Sequence, residues 1–277
     1  MEAIAAGDLA KMQVRLEAPV EYVLPVNDAR VEMNPLIGRR VGLRFEGEIH
    51  CIHCGRTISK SFNQGFCYPC FRTLAACDGC IMNPERCHYF EGTCREPEWG
   101  ERNCMTDHVV YLANSTGVKV GITRASQVPT RWIDQGAVQA VPFVRTATRQ
   151  QAGFVEVLLK EHVTDRTQWQ RMLKGPPEAL DLVARRAELL EACGGALTAL
   201  QERFGLQAIR PADDVAPWEI DYPVHEYPAK VKSLALEKLG AIEGTLLGIK
   251  GQYLILDSGV INIRKYTGHQ VTVLAGT

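Results

Sequence analysis

Nine of the ten cysteines fall between Cys51 and Cys104, and six of those nine form Cys-x-x-Cys pairs. The pairs are Cys51/Cys54, Cys67/Cys70 and Cys77/Cys80, followed by single cysteines at Cys87, Cys94 and Cys104. A Cys-x-x-Cys turn aims two thiolates at one tetrahedral ion, and a second turn completes the shell. Twelve residues separate the first two pairs, the spacing of a zinc ribbon or knuckle pair. Four thiolates with no open position make a closed structural site, for which zinc is the first choice. His53, between the first two cysteines, reads as a surface residue.

Cys77 and Cys80 supply half of a second shell, so two structural zinc ions are expected. Cys87 and Cys94 flank Tyr89-Phe90-Glu91-Gly92 and are the favoured other half, with Cys104, His88 and His108 in competition. The five thiolates of this group would also suit an iron–sulfur cluster. A cross-braced pairing of Cys51/Cys54 with Cys77/Cys80 fits the spacing too. Cys193 stands alone in a helical stretch and reads as a small core residue.

The rest of the chain must position this block. Its 277 residues are 46 % hydrophobic, enough for a real core, and its net charge is −1. No global basic field announces nucleic acid. There is no opening run of signal-peptide type and no stretch of about 18 apolar residues that could span a bilayer. A cytoplasmic protein without a membrane contact is expected. Thiols stay reduced there, so dense cysteines read as metal ligands rather than disulfides. Residues 51–108 carry too few apolar side chains for a core of their own, so metal must replace hydrophobic burial.

Residues 1–50 read as strands, including Val41, Leu43 and Phe45 in alternation with polar neighbours or glycine. Val109–Ala113 and Val118–Ile122 read as strands around the turn Asn114-Ser115-Thr116-Gly117. Thr130–Gln135 reads as a short helix, Val138–Thr146 as a strand and Thr148–His162 as a helix. Glu178–Arg203 is a long helical stretch, expected to break or kink near Gly194-Gly195. Arg210–Pro228 is Pro-rich and reads as an extended linker. Short strands follow at Val231–Leu236, Ile242–Ile249, Tyr253–Leu256, Val260–Ile263 and Val271–Leu274, separated by Gly-rich turns, as in a small barrel. The N-terminal strands are candidates to complete it.

The run Val109-Val110-Tyr111-Leu112-Ala113, Val118-Lys119-Val120-Gly121-Ile122-Thr123, Arg131-Trp132 and Glu156 resembles the GIY-YIG nuclease superfamily. The resemblance covers roughly 60 residues. It implies that Tyr111 is the tyrosine of the first tripeptide, which helps to activate water. Lys119-Val120-Gly121 takes the place of the second tripeptide, whose Lys-Ile-Gly form occurs in some branches. Arg131 is then the helical arginine that stabilises phosphate charge. Glu156 becomes the carboxylate that carries magnesium or manganese. Gln135 lies where many members carry a helical histidine, and no asparagine follows Glu156 in the expected stretch. Phosphodiester hydrolysis needs those residue types: a hard cation on oxygen ligands, a base, and a cation for the developing charge.

The whole arrangement is also similar to an uncharacterised bacterial family, a domain of unknown function. The similarity rests on Lys119 to Arg124, Arg131 to Ala137 and Gly248 to Leu254. It brings no established activity.

The expected fold is therefore α+β: a zinc-stapled cysteine-rich block, a small GIY-YIG-like α/β module, a helical segment and a small C-terminal β-barrel. The expected boundaries are 1–50, 51–108, 109–175, 176–228 and 229–277. Between Val109 and Gly175, nine Lys and Arg face four Asp and Glu. A cationic face there suits phosphate backbones, of DNA or RNA. Arg56, Lys60 and Arg72 on the cysteine block, with Arg124, Arg145 and Arg149 on the module, are the expected nucleic-acid contacts. The function expected is a zinc-containing nucleic-acid-binding protein with a divalent-metal-dependent phosphodiesterase centre. The alternative is a catalytically inactive scaffold for RNA or a protein partner, with Lys250, Arg264 and Lys265 as its main contact.

Overall fold

The computed structural model describes residues 1–213 and 216–276. Strand β5 (Arg40–Ile49) turns Val41, Leu43 and Phe45 inward while Arg40, Arg44 and Glu46 face water. That two-residue period builds a sheet with one wet face. β1 (Glu2–Asp8), β14 (His269–Ala275), β5, β11 (Ala241–Lys250), β12 (Tyr253–Leu256) and β13 (Gly259–Asn262) lie in that order, each antiparallel to the next. The two ends of the chain thus share one sheet.

This sheet is open, and the expected barrel does not form. Closure would need β13 to pair with β1. Instead Val260, on the free edge of β13, exchanges backbone bonds with the 232–234 segment: its N–H donates to Lys232, and its carbonyl accepts from Leu234. The 231–236 stretch is therefore an edge cover rather than a barrel strand, and it leads into the short helix α7 (Leu236–Leu239). At the other edge, Asp8 and Asn27 are tied together through Asp8 N–H to Asn27 Oδ1 and Asn27 N–H to Asp8 O. That bond leads into a separate three-stranded sheet, β2 (Gln13–Arg15), β3 (Glu21–Val26) and β4 (Ala29–Glu32).

A third sheet is built on β6 (His108–Asn114), whose seven residues are all buried. β7 (Val118–Arg124) pairs with one side of it and β8 (Gln139–Thr146) with the other, both antiparallel. Two short strands from the Pro-rich stretch, β9 (Ile209–Pro211) and β10 (Trp218–Glu219), extend β8. Continuous burial along β6 means that both its faces are covered. Val109, Tyr111 and Ala113 join the large core shared with the six-stranded sheet. Val110 and Leu112 join a second core under the helices.

Those helices are α4 (Arg149–Leu159) and α6 (Leu182–Phe204). Thr148 starts α4 with a capping box: its hydroxyl accepts from Gln151 N–H, and the Gln151 side chain accepts from Thr148 N–H. This satisfies two donors that the first turn would otherwise leave bare. Leu182, Leu189, Cys193 and Leu197 form the buried stripe of α6. That helix runs unbroken through Gly194-Gly195, so the expected break does not occur there. Each glycine costs about 1 kcal/mol of helix propensity, but Cys193 and Leu197 are anchored in the core on either side.

Between the layers sits the short helix α3 (Thr130–Asp134), whose Trp132 is fully buried. Its ring meets Tyr111 at 5.7 Å and Trp218 at 5.6 Å, both edge-on. Trp132 therefore joins β6, α3 and β10. We expect Trp132→Ala to cost about 3–5 kcal/mol, the range for truncating a buried aromatic, read as the shift in urea unfolding free energy. A loss below about 1 kcal/mol would mean that the layers do not depend on this contact.

Candidate metal centre and polar site

β5 delivers the chain to Cys51, where a tight turn reverses it. Gly55, with φ +72°, supplies the left-handed residue, and its N–H donates to Cys51 O at 2.8 Å. A small hairpin, with Phe62 and Phe66 paired across it, returns the chain to Cys67. Cys67 then caps helix α1 (Tyr68–Thr73), which carries Cys70 one turn on. Ile58, Phe66 and Leu74 pack with Cys51, Cys67 and Cys70.

The ligand atoms of Cys51, Cys54, Cys67 and Cys70 all lie within 4.8 Å of one another. The Cys54 and Cys67 sulfurs are 3.8 Å apart. A tetrahedron with 2.3 Å metal–sulfur bonds has an edge of about 3.8 Å. The quartet therefore fits a zinc-sized ion. Backbone N–H groups stabilise the negative sulfurs: Cys67 N–H donates to Cys51 Sγ at 3.2 Å, and Cys70 N–H to Cys67 Sγ at 3.5 Å. Burial pushes the Cys51 thiol up, but the N–H groups of Cys54, Cys67 and His53 outweigh it and bring it down to about 6. His53 is exposed and outside the quartet.

Of the expected second group, Cys80, Cys87, Cys94 and Cys104 line one small cavity. Cys77 is not among them. It accepts a hydrogen bond from Asn63 Nδ2 and lines a separate open groove beside Arg72 and Met82. His88 borders the small cavity, and its Nδ1 lies 2.7 Å from Thr93 Oγ1. His108 is buried on β6, with Nδ1 at 2.6 Å from the Thr106 carbonyl. Its burial brings it down to about 4, so it is neutral.

The second polar site lies where β6, β7 and α3 meet. The Tyr111 hydroxyl donates to Gln135 Oε1 at 3.0 Å. The Lys119 amine donates to the same oxygen and, at 2.8 Å, to Thr167 Oγ1. Arg131 lies beside the Tyr111 hydroxyl. Gly121 faces Tyr111 across the β6–β7 ladder, and a Cβ there would stand 2.6 Å from the tyrosine oxygen. Only glycine leaves room for that ring. Glu156, on α4, holds the Lys160 amine at 3.3 Å, and Asp165 holds the same amine at 3.1 Å.

Electrostatics separate these groups. Lys119 is 3 % exposed, and burial, aided by Arg131, brings its amine down to about 8. Burial pushes Tyr111 up to about 12, so its hydroxyl stays neutral. Burial also raises Glu156, against the pull of Lys160.

The expected nucleic-acid contacts divide. Lys60 and Arg72 are exposed, with the Lys60 amine 5.3 Å from the Phe62 ring centre. Arg56 is exposed but sits against the sulfurs of Cys54, Cys67 and Cys70, which raise it. Arg124 donates to Asn103 Oδ1 at 2.6 Å. Arg145 is half-buried on β8 opposite Arg210. Arg149 donates to the Ile81 carbonyl at 2.8 Å and is spent on the cysteine block. Among the C-terminal contacts, Lys250 is ruled out as a surface residue. It is fully buried, with its amine 5.5 Å from the Tyr222 ring and 5.4 Å from the Tyr227 ring. Arg264 is half-buried beside Arg131 and Asp134, while Lys265 is exposed.

Sequence reasoning did not assign roles to Gln135, Asp165 or Thr167. Gln135 follows Arg131 by four residues, which places the two on one helix face. That spacing was a usable signal. Asp165 and Thr167 arrive on the segment after α4, through a parallel bridge of Thr164 to Lys119, and no local pattern marks them.

The fold and the thiol quartet define an α+β protein whose cysteines can hold a metal ion such as zinc. The chain belongs to the family described as protein of unknown function (DUF2797), which matches residues 38–271. No curated protein and no solved structure matches it. Among the described residues no helix is long and apolar enough to cross a membrane.

Because residues 51–74 are held by sulfur more than by apolar packing, Cys67→Ser should lose about one zinc per chain. Hydrogen exchange should then speed up across Cys51–Leu74 while β6 stays protected. Elemental analysis and exchange mass spectrometry read both effects; unchanged zinc content would refute the ligand set.

Proposed function

We propose that this protein binds nucleic acid through the β6–β8 module, and that Tyr111, Lys119, Arg131 and Glu156 form a GIY-YIG-like phosphodiesterase centre steadied by the zinc-stapled block. The observation that carries this reading is the Gln135 carboxamide oxygen, which accepts from both Tyr111 and Lys119 with Arg131 alongside. Three groups from three elements are thereby held in one register, as positioned catalysis requires.

The chemistry divides among them. An amine near 8 is matched to proton transfer at physiological pH, so Lys119 is the base that takes a proton from attacking water. Tyr111 stays protonated and fixes Gln135. Arg131 neutralises charge developing on the phosphoryl oxygens. Glu156 and Asp165, which share the Lys160 amine, are the carboxylates that would hold magnesium or manganese. Such an ion supplies further charge stabilisation when bound. Lys60 and Arg72 on the cysteine block would extend the contact to the phosphate backbone. A reducing, cytoplasmic setting would keep the thiols able to bind zinc.

A second reading has its own support. Thr167 covers the Lys119 amine, and Lys160 occupies the space between the two carboxylates. A centre closed in this way also fits an inactive scaffold for RNA or a protein partner.

One experiment separates them. Purified full-length protein with magnesium should cleave single- or double-stranded RNA or DNA, and Glu156→Gln should lower the rate by about 10²–10³-fold with zinc content unchanged. The rate should rise with pH through about 8, because Lys119 must shed its proton to act, and Lys119→Met should remove that rise. Equal cleavage by Glu156→Gln would refute the centre. Binding without cleavage, with affinity falling steeply in salt, would select the RNA scaffold.

A further inference from the structure

We propose a second metal centre in which the thiolates of Cys80, Cys87, Cys94 and Cys104 hold one zinc-type ion, and in which the loaded loop clamps the first turn of α4. It stands apart from the phosphodiesterase reading, because its readout is metal content.

Cys80, Cys87, Cys94 and Cys104 line one small cavity of about 10 Å³, walled by Tyr89 and Trp99. That is the space of about one water-sized sphere, the scale of a single ion. The Cys80 and Cys87 thiols are already in hydrogen-bond contact; the four sulfurs are more loosely gathered than the first quartet, and an ion would draw them together. Sulfur ligands among apolar walls select a soft borderline ion. Helix α2 (Pro97–Asn103) is pressed against this cavity through Gly100, where a Cβ would lie 3.0 Å from the Tyr89 ring and 3.3 Å from Cys94 Sγ. Gly100 O also accepts from Cys104 N–H at 2.7 Å, which ties the last ligand to the helix that approaches the third.

The pairing differs from that expected by spacing. Cys77 is left out of the set because it lines a separate groove and accepts from Asn63 Nδ2, whereas Cys80 lines the cavity with the other three cysteines. A competing triad of Asp78, Cys80 and His88 has its ligand atoms within 4.8 Å of one another. Asp78, however, is taken by Arg95, whose Nε lies 2.7 Å from Oδ2. The triad would also supply one ligand fewer than the thiol set.

Three carbonyls at or beside these ligands accept hydrogen bonds from the start of α4. Arg149 N–H donates to Cys104 O at 2.8 Å, Arg149 Nη2 to Ile81 O at 2.8 Å, and Gln150 Nε2 to Cys87 O at 2.6 Å. Gly153 lets the loop approach so closely that a Cβ there would stand 2.5 Å from Glu85 N. The Arg149 Nε–H is buried and has no acceptor among the described residues. A four-thiolate zinc site carries excess negative charge, and the adjacent guanidinium offsets it. The same helix carries Glu156, so metal at this centre fixes where that carboxylate stands.

Elemental analysis of the purified full chain should find two zinc ions. Cys104→Ser and Cys94→Ser should each leave one, while Cys77→Ser and His88→Ala should leave two. Hydrogen exchange over residues 149–153 should accelerate by about tenfold or more in Cys104→Ser. Should those variants fail to fold, NMR of the cadmium-loaded wild-type chain decides: two signals in the all-thiolate region support the centre. One zinc in the wild type, loss of an ion in Cys77→Ser or His88→Ala, stoichiometric iron, or a mixed nitrogen–sulfur cadmium signal would each overturn it.

Discussion

Burial of β6 on both faces is the constraint from which the rest follows. A strand with one wet face would leave Tyr111 either in solvent or in the core. Here both faces are dry, so Val110 and Leu112 serve the helices while Val109, Tyr111 and Ala113 serve the sheet formed by the two chain ends. The tyrosine reaches into the seam between layers, where α3 brings Trp132 and Gln135. A polar cluster at such a seam is dry enough to shift pKa values strongly, and Lys119 and Tyr111 move in opposite directions for the same reason: burial disfavours the charged form.

The cysteine block solves a different problem. Its residues bury little apolar surface, and Cys51, Cys67, Cys70 and Leu74 with Ile58 and Phe66 form a cluster too small to stand alone. Metal-sized geometry replaces it. The block is not a free appendage, because Arg149, Gln150 and Gly153 of α4 grip the loop between Cys80 and Cys104. Arg149 and Arg56 show the consequence for charge. Both look like phosphate contacts in a linear reading, and both are instead turned toward thiols or loop carbonyls.

Much of this was legible locally. The Cys51/Cys54 and Cys67/Cys70 spacing marked a tetrahedral quartet, since each pair is held by its own short turn. The apolar runs of β6 and β8, the alternation of β7 and the helical stretch of α4 were visible because a run bounded by turn residues, or a period of two or of 3.6, needs only neighbours in the chain. The glycines at 194 and 195 misled, because helix propensity is weaker than the burial of Cys193 and Leu197.

The residues themselves determined an α+β chain with a cysteine quartet able to hold a metal ion and a set of amphipathic elements, because these depend on contacts a few residues apart. Only the tertiary structure decided that the end sheet stays open, that Cys104 rather than Cys77 lines a cavity with Cys80, that Lys250 is buried, and that Gln135 links Tyr111 to Lys119. Each of those outcomes turns on which distant segment reaches a given edge, carbonyl or cavity first. A hydrogen bond or a thiol cluster formed across the fold leaves no period in the sequence to announce it.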